Sequence, residues 1–183
     1  GGRGVTSSTM PMATGAGETY ASAFDTLTSE AVVPSAVQSI RRAAFERFAA
    51  LGFPTTKNED WHFTSVSPIA EEEFTLLTAK SGDVKRGDLE RFSFGATDWH
   101  TMVFVNGRFT PELSDIDKLP ATVKIRDLAS AWSAAPNSVD RIGRLTSYDN
   151  SAFTALNTAF MYDGAVIEIA KEADIARPIH LLY

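Results

Sequence analysis

From Ser35 to Leu51 the apolar residues Val37, Ile40, Ala44, Phe45, Phe48 and Leu51 recur at steps of three and four. That spacing gathers them on one side of a helix and predicts an amphipathic element, with Arg41, Arg42, Glu46 and Arg47 largely elsewhere. Ser35 and Gln38 stand at capping-box spacing at its start. At the far end Gly52 accepts the left-handed conformation, and Pro54 keeps the helix from resuming. Trp61 and Phe63 then alternate with His62 and Thr64, the pattern of a short extended segment with one buried side. Lys57, Glu59 and Asp60 form a candidate surface ion-pair group beside the Trp61 ring.

The pattern is weaker before this stretch and mixed after it. Residues 1–31 are dominated by Gly, Ser, Thr and Ala with scattered apolar positions, which predicts a disordered or weakly helical tail. Residues 68–77 suit the start of a helix with Glu71, Glu72 and Glu73 in or near its first turn, where the helix dipole favours negative charge. Three adjacent glutamates point in different directions, so a solvated face is expected there and not a cation site. Asp88 is placed to cap a short helix through Leu89, Phe92 and Phe94. Met102 to Val105 reads as a strand, Asn106-Gly107 as a hairpin turn, and Arg108-Phe109 as the return, limited by Pro111. Val123 to Ile125 suggests another strand, and Asp127 the start of a helix containing Leu128 and Trp132. Ser151 to Phe160 suggests a further helix before an Asp163-Gly164 turn. In the last twenty residues Ile167 and Ile169 alternate with Val166 and Glu168, and Ile179 to Tyr183 forms a second extended run. Two short strands with a turn between them predict a hairpin or the start of a solenoid.

Composition narrows the function classes. A chain of 183 residues is long enough for one well-buried core, or for one domain and the beginning of another. A formal charge of -6 argues against a general nucleic-acid or anionic-membrane surface, which needs clustered positive charge. No apolar run approaches the length of a membrane span. The opening residues have no apolar secretory core and little arginine, so a cytoplasmic location is expected. There is no cysteine, which excludes disulfides, a thiolate nucleophile and thiolate-held metal or cluster within this chain. His62, His100 and His180 show no HxxH or HExxH spacing, and outward or structural roles are expected for His62 and His180. Gly82 to Gly87 lacks the Lys-Ser/Thr ending of a phosphate loop, and no nucleophile elbow or dinucleotide fingerprint is present.

Several of these residues carry a resemblance. An Arg41, Ala44 and Phe48 helix, then Gly52 to Thr55, then Lys57, Glu59, Trp61, Phe63 and Thr64, resembles the N-terminal region of SufD. SufD is a branch of the SufB/SufD family of the SUF system for assembling iron–sulfur clusters. A second block agrees: Phe153, Leu156, Asn157 and Ala159, then Asp163-Gly164, a strand, and Pro178-Ile179. A third is Val103 to Phe109. In the family's order these blocks cover residues 35–183.

The resemblance implies an α+β fold in which a helical and mixed N-terminal region leads into the first coils of a right-handed parallel β-helix. The corresponding boundaries are a tail over 1–31, a mixed domain over 32–160 and the start of the β-helix over 161–183, with the chain breaking off inside that pattern. It implies a non-catalytic scaffold subunit that works with a SufB-like scaffold and a SufC-like ABC ATPase, a homodimer being a further expectation. ATP-driven movement of the ATPase would be transmitted to the β-helix pair where the cluster forms. Gly52, Pro54, Lys57, Glu59, Trp61, Asn157 and Gly164 are then family-motif positions with structural roles. No catalytic, cofactor-binding or metal residue is expected in this segment, and the cluster would be handled by the assembled complex. The alternatives are an enzyme on a β-helix, of polysaccharide lyase or acyltransferase type, and the paralogous SufB scaffold. The Lys-x-Glu-x-Trp segment favours SufD.

Overall fold

The computed structural model describes residues 14–30, 33–77, 82–95, 98–134 and 141–183. Its elements run α1 (Thr14–Glu30), α2 (Ser35–Leu51), α3 (Ser67–Ala70), β1 (His100–Val105), β2 (Arg108–Phe109), β3 (Val123–Asp127), α4 (Leu128–Ala134), α5 (Ala152–Ala159), β4 (Ala165–Ile169) and β5 (Ile179–Leu182). Short 3₁₀ turns lie at Glu59–Trp61, Arg86–Phe92 and Pro111–Leu113. The chain divides into two interleaved units. One holds Gly1–Leu76 and Val139–Met161, the other Leu77–Ser138 and Tyr162–Tyr183. The segment expected to open a separate core at 161–183 thus joins residues 77–138.

In the first unit the predicted amphipathic helix forms as α2. Val37, Arg41, Ala44 and Phe48, at steps of four, three and four, are its buried stripe. Arg41 is a correction: the charged side chain is fully buried within the apolar face, and its Nη2 donates to the Met161 carbonyl just beyond α5. The expected capping box is also absent. Ser35 is already helical, and the Pro34 carbonyl accepts from the amides of Val37 and Gln38 at 2.9 and 3.1 Å.

Phe48 packs with Phe53, Val66 and Ala155, while Phe24, Ala44 and Ala159 form an adjoining cluster. Alanines at the α2–α5 contact let the two backbones approach closely. Residues 14–30, expected as part of a tail, form a helix because Tyr20, Phe24 and Leu27 recur at four and three steps and cover α2. Phe24 stacks on Phe45 with centroids 4.3 Å apart, and Tyr20 meets Phe48 edge-on at 5.6 Å. Residues 1–13 of that expected tail lie outside the described residues.

Two local readings change. Glu59–Trp61 is a 3₁₀ turn, not an extended strand, so Trp61 and Phe63 do not share a buried side. Helix α3 stops after four residues, and Glu71 to Glu73 follow it instead of entering its first turn. Proline fits the start of α3, but nothing apolar beyond Ala70 returns to the core to extend it.

In the second unit the strand order is β2-β1-β5 in one sheet and β3-β4 in the other. Asn106 and Gly107 take φ values of 51° and 75°, as a two-residue hairpin turn requires, and Phe104 pairs with Phe109. Met102, Phe104, Val123 and Ile125 form the core. Asp127 caps α4 by accepting from the Ser130 amide at 2.9 Å. Asp88 sits inside the 3₁₀ turn at Arg86–Phe92, accepting from the Lys85 amide at 2.8 Å. The turn ends at Phe92, leaving Phe94 exposed with φ 53°.

The final two strands do not pair with each other. β4 runs antiparallel to β3, with Ile125 opposite Ile167, and β5 runs parallel to β1, with His100 opposite Ile179. β5 thereby extends the β1–β2 hairpin to three strands, whereas an isolated two-stranded pair is marginal in water. The described residues are α+β and contain no β-helix coil.

Asp163 joins these pieces. Its carboxylate accepts from the amides of Phe109 at 2.8 Å, Gly164 at 2.7 Å and Leu128 at 3.4 Å, so one side chain holds the ends of β2, β4 and α4. Removing it leaves the Phe109 and Gly164 amides without that acceptor, each costing about 1–3 kcal/mol if buried, while the Leu128 amide keeps the Gly164 carbonyl at 2.9 Å. Asp163→Ala is expected to lower unfolding stability by about 2 kcal/mol or more in urea titration, with Asp163→Asn losing less. A loss below about 0.5 kcal/mol for Asp163→Ala would contradict this role.

Candidate functional site

The motif segment leaves α2 through Gly52. There φ is 63° and ψ −179°, a combination open essentially only to glycine, and its amide donates to the Phe48 carbonyl at 2.8 Å. The chain then turns at Pro54 and winds on itself. Asn58 Oδ1 accepts from the Thr55 amide at 2.8 Å. The amides of Trp61, His62 and Thr64 donate to the carbonyls of Asn58, Glu59 and Trp61 at 3.0, 3.2 and 3.0 Å. His62 Nδ1 lies 3.1 Å from the Thr56 carbonyl. The segment is a braced 3₁₀ turn, and its anchor is Trp61, half-buried against Phe153 of α5 with centroids 5.3 Å apart.

Between these parts lies a cleft of about 180 Å³, lined by apolar and polar side chains together, Pro54, Trp61 and Phe153 with Asn58, Asp60 and Asn150 among them. Of the predicted motif positions, Gly52, Pro54 and Trp61 line this cleft. Lys57 and Glu59 are exposed on the same turn, and no salt bridge among the described residues joins them or Asp60. Asn157 is exposed on α5. Gly164 belongs to the second unit, where its carbonyl accepts from the Leu128 amide at 2.9 Å. A Cβ there would meet Leu128 at 3.9 Å, an ordinary contact, so space does not demand glycine. The sequence reading passed over Phe153 as a partner of Trp61 and Asp163 as a hub, because each joins segments far apart in the chain.

A second cleft, of about 480 Å³, lies on the β1–β5 face of the second unit. Arg86 donates to Asp115 at 2.7 Å and to the Glu112 carbonyl at 3.1 Å, and both charged side chains remain more than half exposed. His180 meets Trp99 edge-on at 5.3 Å and is half-buried, not fully outward. His100 is buried in β1, and His62 is exposed in the first unit. Among the described residues no three His, Asp or Glu side chains come together as a metal site. With no cysteine in the chain, the donor set does not fit a thiolate-held cluster. Burial raises the phenol pKa of Tyr20 above its ordinary value. Burial, then the charge of Asp163, does the same at Tyr183. No described helix is long and apolar enough to cross a membrane.

The profile of the SufBD protein N-terminal region matches residues 17–181. The chain belongs to the SufB/SufD family. It is 32% identical over 162 residues to an iron–sulfur cluster assembly SufBD family protein of Synechocystis sp. (strain ATCC 27184 / PCC 6803 / Kazusa), covering 86% of this chain. The chain spans 35% of that relative's length. The SufBD match begins inside α1, so that helix is part of the family region and not an appendage to it.

If Trp61 anchors the SufBD motif turn to α5, Trp61→Ala is expected to lower stability by about 2–3 kcal/mol, as for a partly buried large aromatic. Thermal and urea unfolding read this directly. An unchanged melting temperature would remove Trp61 from that role.

Proposed function

We propose that this chain is the N-terminal part of a SufD-type scaffold subunit for iron–sulfur cluster assembly, non-catalytic in itself. The family match over residues 17–181 supports the assembly role. The Lys57, Glu59 and Trp61 pattern favours the SufD branch over its SufB paralogue. In this reading the chain continues into a right-handed parallel β-helix whose first strands extend from the second unit. It works in the cytoplasm with a SufB-like scaffold and a SufC-like ABC ATPase. The cluster is cargo, held by other parts of the complex.

The absence of cysteine from this chain supports a division of labour. A rigid, cysteine-free region contributes shape and stability at one end of the β-helix, while ATP-driven motion and cluster ligation belong to segments that carry the necessary groups. Affinity purification of the full-length protein from its native host, with partners identified by mass spectrometry, tests the assignment. Co-purification of a SufB-like scaffold and an ABC ATPase is expected. Recovery of the ATPase with only a second copy of this protein would favour the SufB type. Recovery of neither, under conditions that preserve other complexes, would overturn the reading.

A further inference from the structure

The tip of the β1–β2 hairpin carries chemistry that a scaffold role does not use. Asn106 and Gly107 are both exposed, with φ of 51° and 75°. The side-chain amide carbon of an asparagine and the backbone nitrogen of the next residue can close a five-membered ring. Glycine in second place removes the side chain that would obstruct the closure. Nothing lies within 4 Å of where a Cβ at Gly107 would stand, so its nitrogen is open on that side. The Gly107 amide also has no hydrogen-bond partner among the described residues.

Ring closure needs the backbone to move, and this hairpin permits it. β2 is two residues long, and two register pairs, Phe104 with Phe109 and Val105 with Arg108, join it to β1. Short, exposed tips of this kind open locally at low free energy. The other described asparagines lack the combination. Asn58 accepts from the Thr55 amide and precedes Glu59, Asn150 precedes Ser151, and Asn157 precedes Thr158 inside α5.

We propose that Asn106-Gly107 is a self-modification site at which spontaneous deamidation ages the second unit. Hydroxide removes the Gly107 amide proton, and the nitrogen attacks Asn106 Cγ. The new N–C bond forms as the Cγ–Nδ2 bond breaks, and ammonia leaves with a proton from solvent. Water then opens the succinimide at either carbonyl, giving aspartate or isoaspartate. One water is consumed and one ammonia released, with no oxidation or reduction.

Both products place a carboxylate at position 106. Only isoaspartate also inserts a methylene into the main chain, which a two-residue turn cannot absorb without moving the strand pairs beside it. Phe109 belongs to one of those pairs, and its amide donates to Asp163 at 2.8 Å. Arg108 belongs to the other; it donates to the Leu77 carbonyl at 2.9 Å and lies 3.5 Å over the Tyr162 ring. The change at the tip therefore reaches the Asp163 hub.

The test incubates the full-length protein at mildly alkaline pH and follows its peptides by mass spectrometry, with fragmentation that separates aspartate from isoaspartate. Position 106 is expected to convert about tenfold faster, or more, than Asn58, Asn150 and Asn157. The isoaspartate form, isolated by ion exchange, is expected to exchange the Phe109 amide about tenfold faster than fresh protein. Asn106→Asp, which has the charge without the extra methylene, should leave that exchange unchanged. Conversion at position 106 no faster than at Asn150 would overturn the site. Unaltered Phe109 exchange in the isoaspartate form, or equal loosening by Asn106→Asp, would overturn its coupling to Asp163.

Discussion

The packing of α2 on α5 is the contact on which the first unit depends. It joins segments separated by about a hundred residues, and its clearest polar link, Arg41 to the Met161 carbonyl, spans 120 positions. Closing a chain of that length costs about 4 kcal/mol, plus a constant, in configurational entropy. A hydrogen bond from a charged group contributes about 1.5–3 kcal/mol net, so that bond cannot close the loop by itself. The apolar surface around Phe48, Ala44, Ala155 and Ala159 has to supply the difference. Full burial of a side chain such as Phe contributes about 1.5–3 kcal/mol, and a few such residues suffice. Arg41 contributes specificity more than energy: a buried guanidinium has to meet its acceptor in one register.

The same closure explains the interleaved organisation. Returning from the second unit to place α5 against α2, the chain then departs again at Tyr162. On that last passage Asp163 collects three amides, β4 joins β3, and β5 joins β1. Neither unit is complete until the chain has passed through both. A SufB/SufD region built this way has its stability set by long-range contacts. In the first unit the motif turn is fastened by Gly52 at the end of α2 and by Trp61 against Phe153.

Much of the local structure was legible from spacing. α2 has the predicted bounds, the Asn106-Gly107 hairpin adopts its positive φ values, Asp127 stands at the start of α4 and the Ser151 to Phe160 helix forms as α5. The errors arise where tertiary contacts outweigh local signals. Residues 14–30 are poor in strong apolar repeats, but three positions are enough once Phe45 and Phe48 are there to receive them. Arg41 looked like a surface charge because its acceptor lies 120 residues away. β4 and β5 resemble a hairpin in sequence, but β5 completes a three-stranded sheet on β1 while β4 pairs with β3. Of the motif positions, Gly52 and Trp61 have physical reasons visible in the fold. Those of Lys57 and Glu59 do not appear within their own unit.

Native-state hydrogen exchange tests the α2–α5 dependence most directly. If the two helices open as one cooperative unit, the slowest amides of α5 will exchange with the same free energy of opening as those in the centre of α2, and both will respond equally to denaturant. Amides of α5 that exchange several kcal/mol more readily, with α2 still protected, would contradict it. That result would leave α5 as an appended helix and not the closure of the unit.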